Sequence, residues 1–187
     1  MSSNPSFKKC IIASTLIFMV GVFLGLITIL PEPVGEEFIN PLKEMAKMYN
    51  PFNPITVMLI FAKNALAVMI MWISGFLLAI PTIISLWLNG YIIGFVIKLS
   101  GNPIQALIGI LPHGIIEIPA VLIAGAAGIR VGLTIIGKAS SIFTHKKVSL
   151  TRVILETFRA MQLSIILLIP AAIIETYITP IMIMWIK

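Results

Sequence analysis

His113 and Glu117 are the residues of this chain best placed to do chemistry. They stand four apart in LPHGIIEIPA at 111–120, a spacing that puts both on one face of a helix, about one turn from each other. A carboxylate so placed can orient an imidazole for proton transfer. The same pair also offers two ligands to a metal, which then needs a third, and Glu175 is the one obvious donor elsewhere. Lys63, Arg130 and Glu156 are further ionisable groups in apolar surroundings, with Asn64 and Asn89 as neutral polar companions. Charges at membrane depth are costly, so such groups face the bundle interior, where they pair or line a cavity. Three roles fit: a buried hydrogen-bond network, a proton or ion path, or metal-dependent hydrolysis. The network is the reading adopted, with no catalytic residue, no metal and no other cofactor assigned.

Composition places those groups in lipid. Of the 187 residues, 59% are hydrophobic and only 11% charged, with a mean hydropathy of +1.09. Soluble domains carry about 45–50% apolar and about 25% charged residues. A soluble fold of this size lacks the interior to hide so much apolar side chain, so the bilayer must be the solvent. The net charge of +6 does not point to nucleic acid, because the basic residues are scattered or end apolar runs and form no stripe that could follow phosphates. All seven acids are Glu. Cys10 is the single cysteine, which excludes an internal disulfide and a thiolate metal site. Beside Lys8 and Lys9 it reads as a small apolar residue rather than an S-acylation site.

The elements that position the polar residues are apolar runs near the roughly 20 residues a spanning helix needs. The first, Cys10 to Leu30, is uncharged, longer than the core of a signal peptide, and stopped by Pro31-Glu32-Pro33. The second runs from Ile55 to Ile80. The third runs from Thr82 to Leu99 and is closed by Ser100-Gly101-Asn102-Pro103. The stretch at 103–137 exceeds one straight span and carries Pro112 and Pro119. We therefore expect Pro103 to Leu111 to form a short re-entrant segment, with irregular backbone at His113 and a fourth helix from Gly114 to Gly137. The last run, Val153 to Ile186, is one long or broken helix containing Pro170 and Pro180. The expected fold is an all-α membrane protein in one domain, 1–187, with about five transmembrane helices and a re-entrant segment before helix four.

Charge sets the orientation. Lys8 and Lys9 put the N-terminus in the cytoplasm, as does the basic linker at 138–152. The loop at 31–54 has four Glu against two Lys and is expected outside, where Phe38, Leu42, Met45, Met48 and Tyr49 suit a short surface helix. Five crossings satisfy these assignments, and a sixth would follow only if the last run divides at Pro170. Lys63, His113, Glu117 and Glu175 then share the outer half, whereas Arg130, Glu156 and the somewhat deeper Asn89 belong to the inner half. Small residues supply the packing faces: Gly21 and Gly25 in helix one, Gly90 and Gly94 in helix three, and Ala120, Ala124, Gly128 and Gly132 in helix four. Such ladders let backbones approach closely within this chain or toward a partner, so a homo-oligomer or an assembly with other membrane proteins is expected in the cell membrane.

The order of these landmarks resembles the stage II sporulation protein M family. The resemblance rests on Phe61-Ala-Lys-Asn64, on Asn89-Gly90 with Gly94, and on LPHGIIEIPA at 111–120. It continues in AGAAGIRVG at 124–132 and in Glu175 with Thr179-Pro180. It implies a helical multi-pass protein whose family polar positions map onto Asn64, Asn89, His113, Glu117, Arg130 and Glu175. It also implies a non-enzymatic scaffold or assembly factor, since family members in spore-forming bacteria are associated with forespore engulfment and peptidoglycan-degrading partners. A proton- or ion-coupled transporter or channel is the alternative, and an intramembrane metal-dependent hydrolase the third. No nucleophile elbow, zinc-protease, phosphate-loop or dinucleotide motif is present.

Overall fold

The computed structural model describes residues 5–29, 40, 50–144 and 149–185. Helix α1 spans Phe7–Ile27 and α2 spans Pro54–Ile73, followed by a 3₁₀ turn at Ser74–Phe76. Helix α3 spans Ile80–Leu99, α4 spans Pro103–Thr144 and α5 spans Leu150–Ile173. A π-helical turn at Ile174–Ile178 joins α5 to α6, Thr179–Met184. Local chemistry sets several boundaries. The Asn53 side chain accepts from Ile55 N–H at 2.9 Å, with Pro54 in the first turn of α2. Asn102 accepts from Gln105 N–H at 3.2 Å at the start of α4. Gly101 takes the left-handed conformation, φ 64°, that ends α3.

Among the described residues, five stretches are long and apolar enough to cross a bilayer: Phe7–Ile27, Pro54–Phe76, Ile80–Leu99, Pro103–Ser140 and Leu150–Met184. Side-chain exposure runs opposite to that of a soluble protein. Leu16, Phe23, Met58 and Ile115 are exposed, while Ser14, Thr82, Thr134, Thr157 and Ser164 are completely buried. Large apolar residues covering the outside are stable only against lipid, so this is a multi-pass membrane protein. The run to Met184 does not divide at Pro170, which lies inside α5.

One expectation is corrected. No separate re-entrant segment precedes helix four, because α4 is continuous from Pro103 to Thr144, through His113 and both prolines. A proline removes one backbone bond and crowds the carbonyl four residues earlier, yet membrane helices tolerate this where neighbours satisfy the freed group. Pro112 and Pro119 are seven apart, nearly two turns, so both defects fall on one side and the helix absorbs them. At about 1.5 Å per residue the 42 residues extend about 63 Å, twice a hydrocarbon core of about 30 Å. Part of the basic stretch at 138–152 is therefore helical too, with α4 reaching Thr144 and α5 starting at Leu150. His145 to Val148 and most of the 31–54 loop, including its expected surface helix, lie outside the described residues.

Glycine decides how the helices meet. Helices α1 and α3 run parallel, backbone against backbone: a methyl group at Gly21 would overlap the Trp87 carbonyl, and one at Gly25 the Tyr91 carbonyl. Reciprocally, Gly90 faces Phe18 and Gly94 faces Val22. The ladder on α4 is likewise consumed inside the chain. A Cβ on Gly128 would lie 2.5 Å from the Met71 carbonyl oxygen and 2.8 Å from Thr82, and one on Gly132 would lie 2.6 Å from Ala79 Cβ. Leu78 and Ala79 adopt positive φ, 57° and 64°, in the tight α2–α3 turn seated on Gly132. Thr82 and Ser74 hydroxyls donate to the Met71 carbonyl at 2.9 and 3.0 Å, satisfying the group released where α2 tightens to 3₁₀. Cys10 is buried in the same core.

Candidate functional site

The bundle has two ends, each marked by ties between helices. At one end α1 begins, α2 ends, α4 ends and α5 begins. There Arg130 donates to Glu156 at 2.6 Å and to the Pro5 carbonyl at 3.0 Å, and its guanidinium lies 5.8 Å from the Phe7 ring centre. Arg152 holds the other Glu156 oxygen at 2.7 Å. At the opposite end Lys98 donates to the Thr28 carbonyl.

The polar cluster lies in the half nearer Lys98. His113 and Glu117 come from successive turns of α4, and Glu175 comes from the π-helical turn. One ligand-capable atom from each lies within 4.8 Å of the others, the only such three-residue group among the described residues. All three are half-buried. Lys63 on α2 is within electrostatic reach of all of them. His113 Nδ1 approaches the Thr179 hydroxyl at 3.4 Å. The cluster therefore joins α2, α4 and the α5–α6 junction.

The π turn has a traceable local cause. Pro180 has no N–H to give the Thr176 carbonyl four residues earlier. That carbonyl instead accepts from the backbone N–H of Phe52 at 3.2 Å, while the Thr176 hydroxyl donates to Ala172 O at 2.9 Å. The wider turn accommodates an extra residue and changes the helical phase, so that Glu175 and Thr179 both meet His113. Single π turns of this kind recur at functional sites.

Two cavities adjoin the cluster. The larger, about 300 Å³, is bounded by Asn89, His113, Glu117 and Glu175 at its polar side and by apolar residues such as Phe18 and Ile92 elsewhere. Its partly exposed walls on α3 and α4 place it on the flank of the bundle. The smaller, about 230 Å³, reaches from His113 and Glu175 past Thr176 and Thr179 to Pro51, just before α2. His113 and Glu175 line both, so the cluster is where they meet. Further along α4, from Ala120 to Gly125, the interior is filled: Gly125 abuts the Leu86 side chain, and Ala120, Ala124 and Leu86 have no exposed surface.

Charge in a low-dielectric interior is expensive unless it is paired or neutralised. Among the described residues the cluster brings together two carboxyl groups, one imidazole and the Lys63 ammonium. Chemically it can hold a proton on His113 or a carboxyl, coordinate a cation, or orient a polar group entering from the cavity.

The structure thus brings together Lys63, His113, Glu117 and Glu175. It moves Asn89 into their company rather than toward Arg130, since Asn89 lines the larger cavity and donates to Ser85 O at 2.8 Å. Arg130 is thirteen residues beyond Glu117, about 20 Å along α4, and belongs to the other end. Asn64 is buried on α2 but lines neither cavity. From sequence Thr179 stands out only within the Thr179-Pro180 landmark, with no role at the cluster, and the Thr176 carbonyl not at all; Pro180 four residues after Thr176 was the available signal.

Comparison with known proteins agrees with this architecture. The family model described as stage II sporulation protein M matches residues 14–180. An uncharacterized protein of Methanocaldococcus jannaschii is 31% identical over 178 residues, covering 92% of this chain and 95% of its own length. A second uncharacterized protein of that organism is 28% identical over 180 residues, covering 92% of this chain and 82% of its own. No solved structure matches.

This chain belongs to the stage II sporulation protein M family.

Proposed function

We propose that this family member is a membrane-embedded binding protein, which takes a lipid-soluble molecule with a polar group from the bilayer into the cavity between α3 and α4. The observation that carries the reading is the meeting of His113, Glu117 and Glu175 at the polar wall of a cavity of about 300 Å³ that is otherwise apolar. Binding sites for small molecules combine this kind of apolar wall with a few convergent polar groups. The polar group of the ligand would face Asn89, Glu117 and His113, and its apolar part would lie along Ile92, Ile93 and Ile118.

The scaffold role implied by the family resemblance needs an interior only to remain folded. A fold under that requirement alone would fill the space beside four ionisable groups rather than keep it. The glycine faces, expected to pack within the chain or toward a partner, are occupied within the chain. A channel is less well supported, because a path through the bundle would have to pass Leu86, Ala124 and Thr82, all without exposed surface. With the N-terminus cytoplasmic, as Lys8 and Lys9 suggest, the cavity belongs to the outer half of the membrane.

Gly114 gives the test. It lines the cavity, and a Cβ there would meet only the ends of Ile110 and Ile118, at 3.4 and 3.7 Å. Gly114→Leu therefore fills the cavity while leaving the helix packing in place. Purified wild-type protein should carry a molecule enriched over bulk lipid when organic extracts are compared by mass spectrometry, and Gly114→Leu should lose it. Identical extracts from the two proteins would refute the binding role.

A further inference from the structure

We propose that His113, Glu117 and Glu175 together bind one divalent metal ion of zinc's class, with the open coordination positions facing the larger cavity. This rests on reading the cluster as a binding centre, and it names what the centre holds.

The donor set is the first argument. An imidazole and two carboxylates are ordinary ligands for such ions, and three protein ligands with an open position are the pattern of a site that also receives water or a ligand. His113 and Glu117 project from one helical face, and Glu175 arrives from a facing helix where the π turn sets its direction. Ligand atoms around a tetrahedral ion with bonds of about 2.1 Å lie about 3.4 Å apart. The three atoms are already within 4.8 Å of one another, and each carboxylate has two oxygens and a flexible stem with which to close the rest.

The surroundings supply the second argument. A metal-bound histidine usually commits its other ring nitrogen to a hydrogen bond that fixes its orientation. His113 Nδ1 faces the Thr179 hydroxyl at 3.4 Å, which leaves Nε2 as the ligand atom. Thr179 is itself placed by the same π turn as Glu175. The smaller cavity reaches the cluster from Pro51, outside the spanning part of α2, and gives an ion a route separate from the lipid-facing one.

Charge agrees with the donor set. A dication bound here would offset the Glu117 and Glu175 carboxylates. The helices on the other side contribute Phe18 and Asn89 to the cavity, neither of them charged, so the open coordination positions face water or a polar group entering from the cavity.

The experiment uses full-length protein in detergent, stripped with chelator, dialysed and titrated with Zn²⁺ or Co²⁺. Elemental analysis should find about one equivalent retained, with a rise in melting temperature. Co²⁺ should give visible d–d absorption that Zn²⁺ displaces. Glu175→Gln, nearly isosteric, should weaken binding by about 100-fold or more, while Glu156→Gln at the other end should bind as wild type does. Absence of stoichiometric metal in the wild type, or binding indifferent to Glu175→Gln, would overturn the inference. Should Glu175→Gln not fold, the cobalt spectrum of the wild type decides by its presence or absence. A wild type that retains its lipid-soluble molecule but no metal would defeat this inference alone; loss of both would defeat the binding role beneath it.

Discussion

Gly114 and Gly128 occupy the same helix, both buried, yet they sit in opposite kinds of interior. At Gly128 an added methyl group meets the Met71 carbonyl and Thr82, whereas at Gly114 it meets only two isoleucine tips beside a cavity. The charged groups divide the same way. Arg130 is held by a carboxylate, a carbonyl and an aromatic face, and both oxygens of Glu156 are engaged. His113, Glu117 and Glu175 are brought close to one another and border open space. Around Gly128 the helix is used to hold the bundle together, whereas beside Gly114 it leaves room. Membrane depth alone therefore does not set these two groups of charges apart; what each one borders does.

This contrast can be broken most forcefully at Gly128. Gly128→Leu should cost about 3 kcal/mol or more through overlap with backbone that cannot move aside, read as loss of monodisperse protein on size exclusion. Arg130→Met comes next. It strands Glu156 with Arg152 alone and releases the Pro5 carbonyl, for a loss of about 2 kcal/mol after allowing for partial exposure of the pair, visible as a melting temperature several degrees lower. Gly114→Leu should stay within about 1 kcal/mol of wild type, since the cavity takes the side chain and glycine is a poor helix residue. In protein stripped of metal, the nearly isosteric Glu117→Gln should have the smallest effect on stability, because it keeps the shape of a half-buried side chain beside a cavity; a loss as large as that of Arg130→Met would show the cluster to be structural after all.

Much of this arrangement is legible in the residues themselves. Apolar runs mark the five crossings, and charge and spacing place Lys63, His113, Glu117 and Glu175 in one layer, with Arg130 near Glu156. The two GxxxG pairs announce close helix contacts, although not that they would find each other. What sequence misses depends on neighbours. Pro112 and Gly114 read as a break because each weakens a helix by itself, while the folded bundle carries α4 straight through them. Asn89 reads as deep because counting residues ignores how α3 is staggered against α4. Pro180 signals locally that the Thr176 carbonyl is freed, but the Phe52 N–H that takes it up lies more than a hundred residues away, and no local pattern encodes that contact.

The central claim is that α4 lines reachable space at Gly114, beside the cluster, and is packed without exposed surface at Thr134, toward Arg130. A Cys10→Ser background removes the single native thiol. Into it Gly114→Cys and, separately, the nearly isosteric Thr134→Cys, at a position with no exposed surface, are introduced for labelling with a small membrane-permeant thiol reagent. Gly114→Cys should react in the folded protein, and Thr134→Cys should react only after denaturation. Equal protection at both positions, or equal reactivity, would contradict the account.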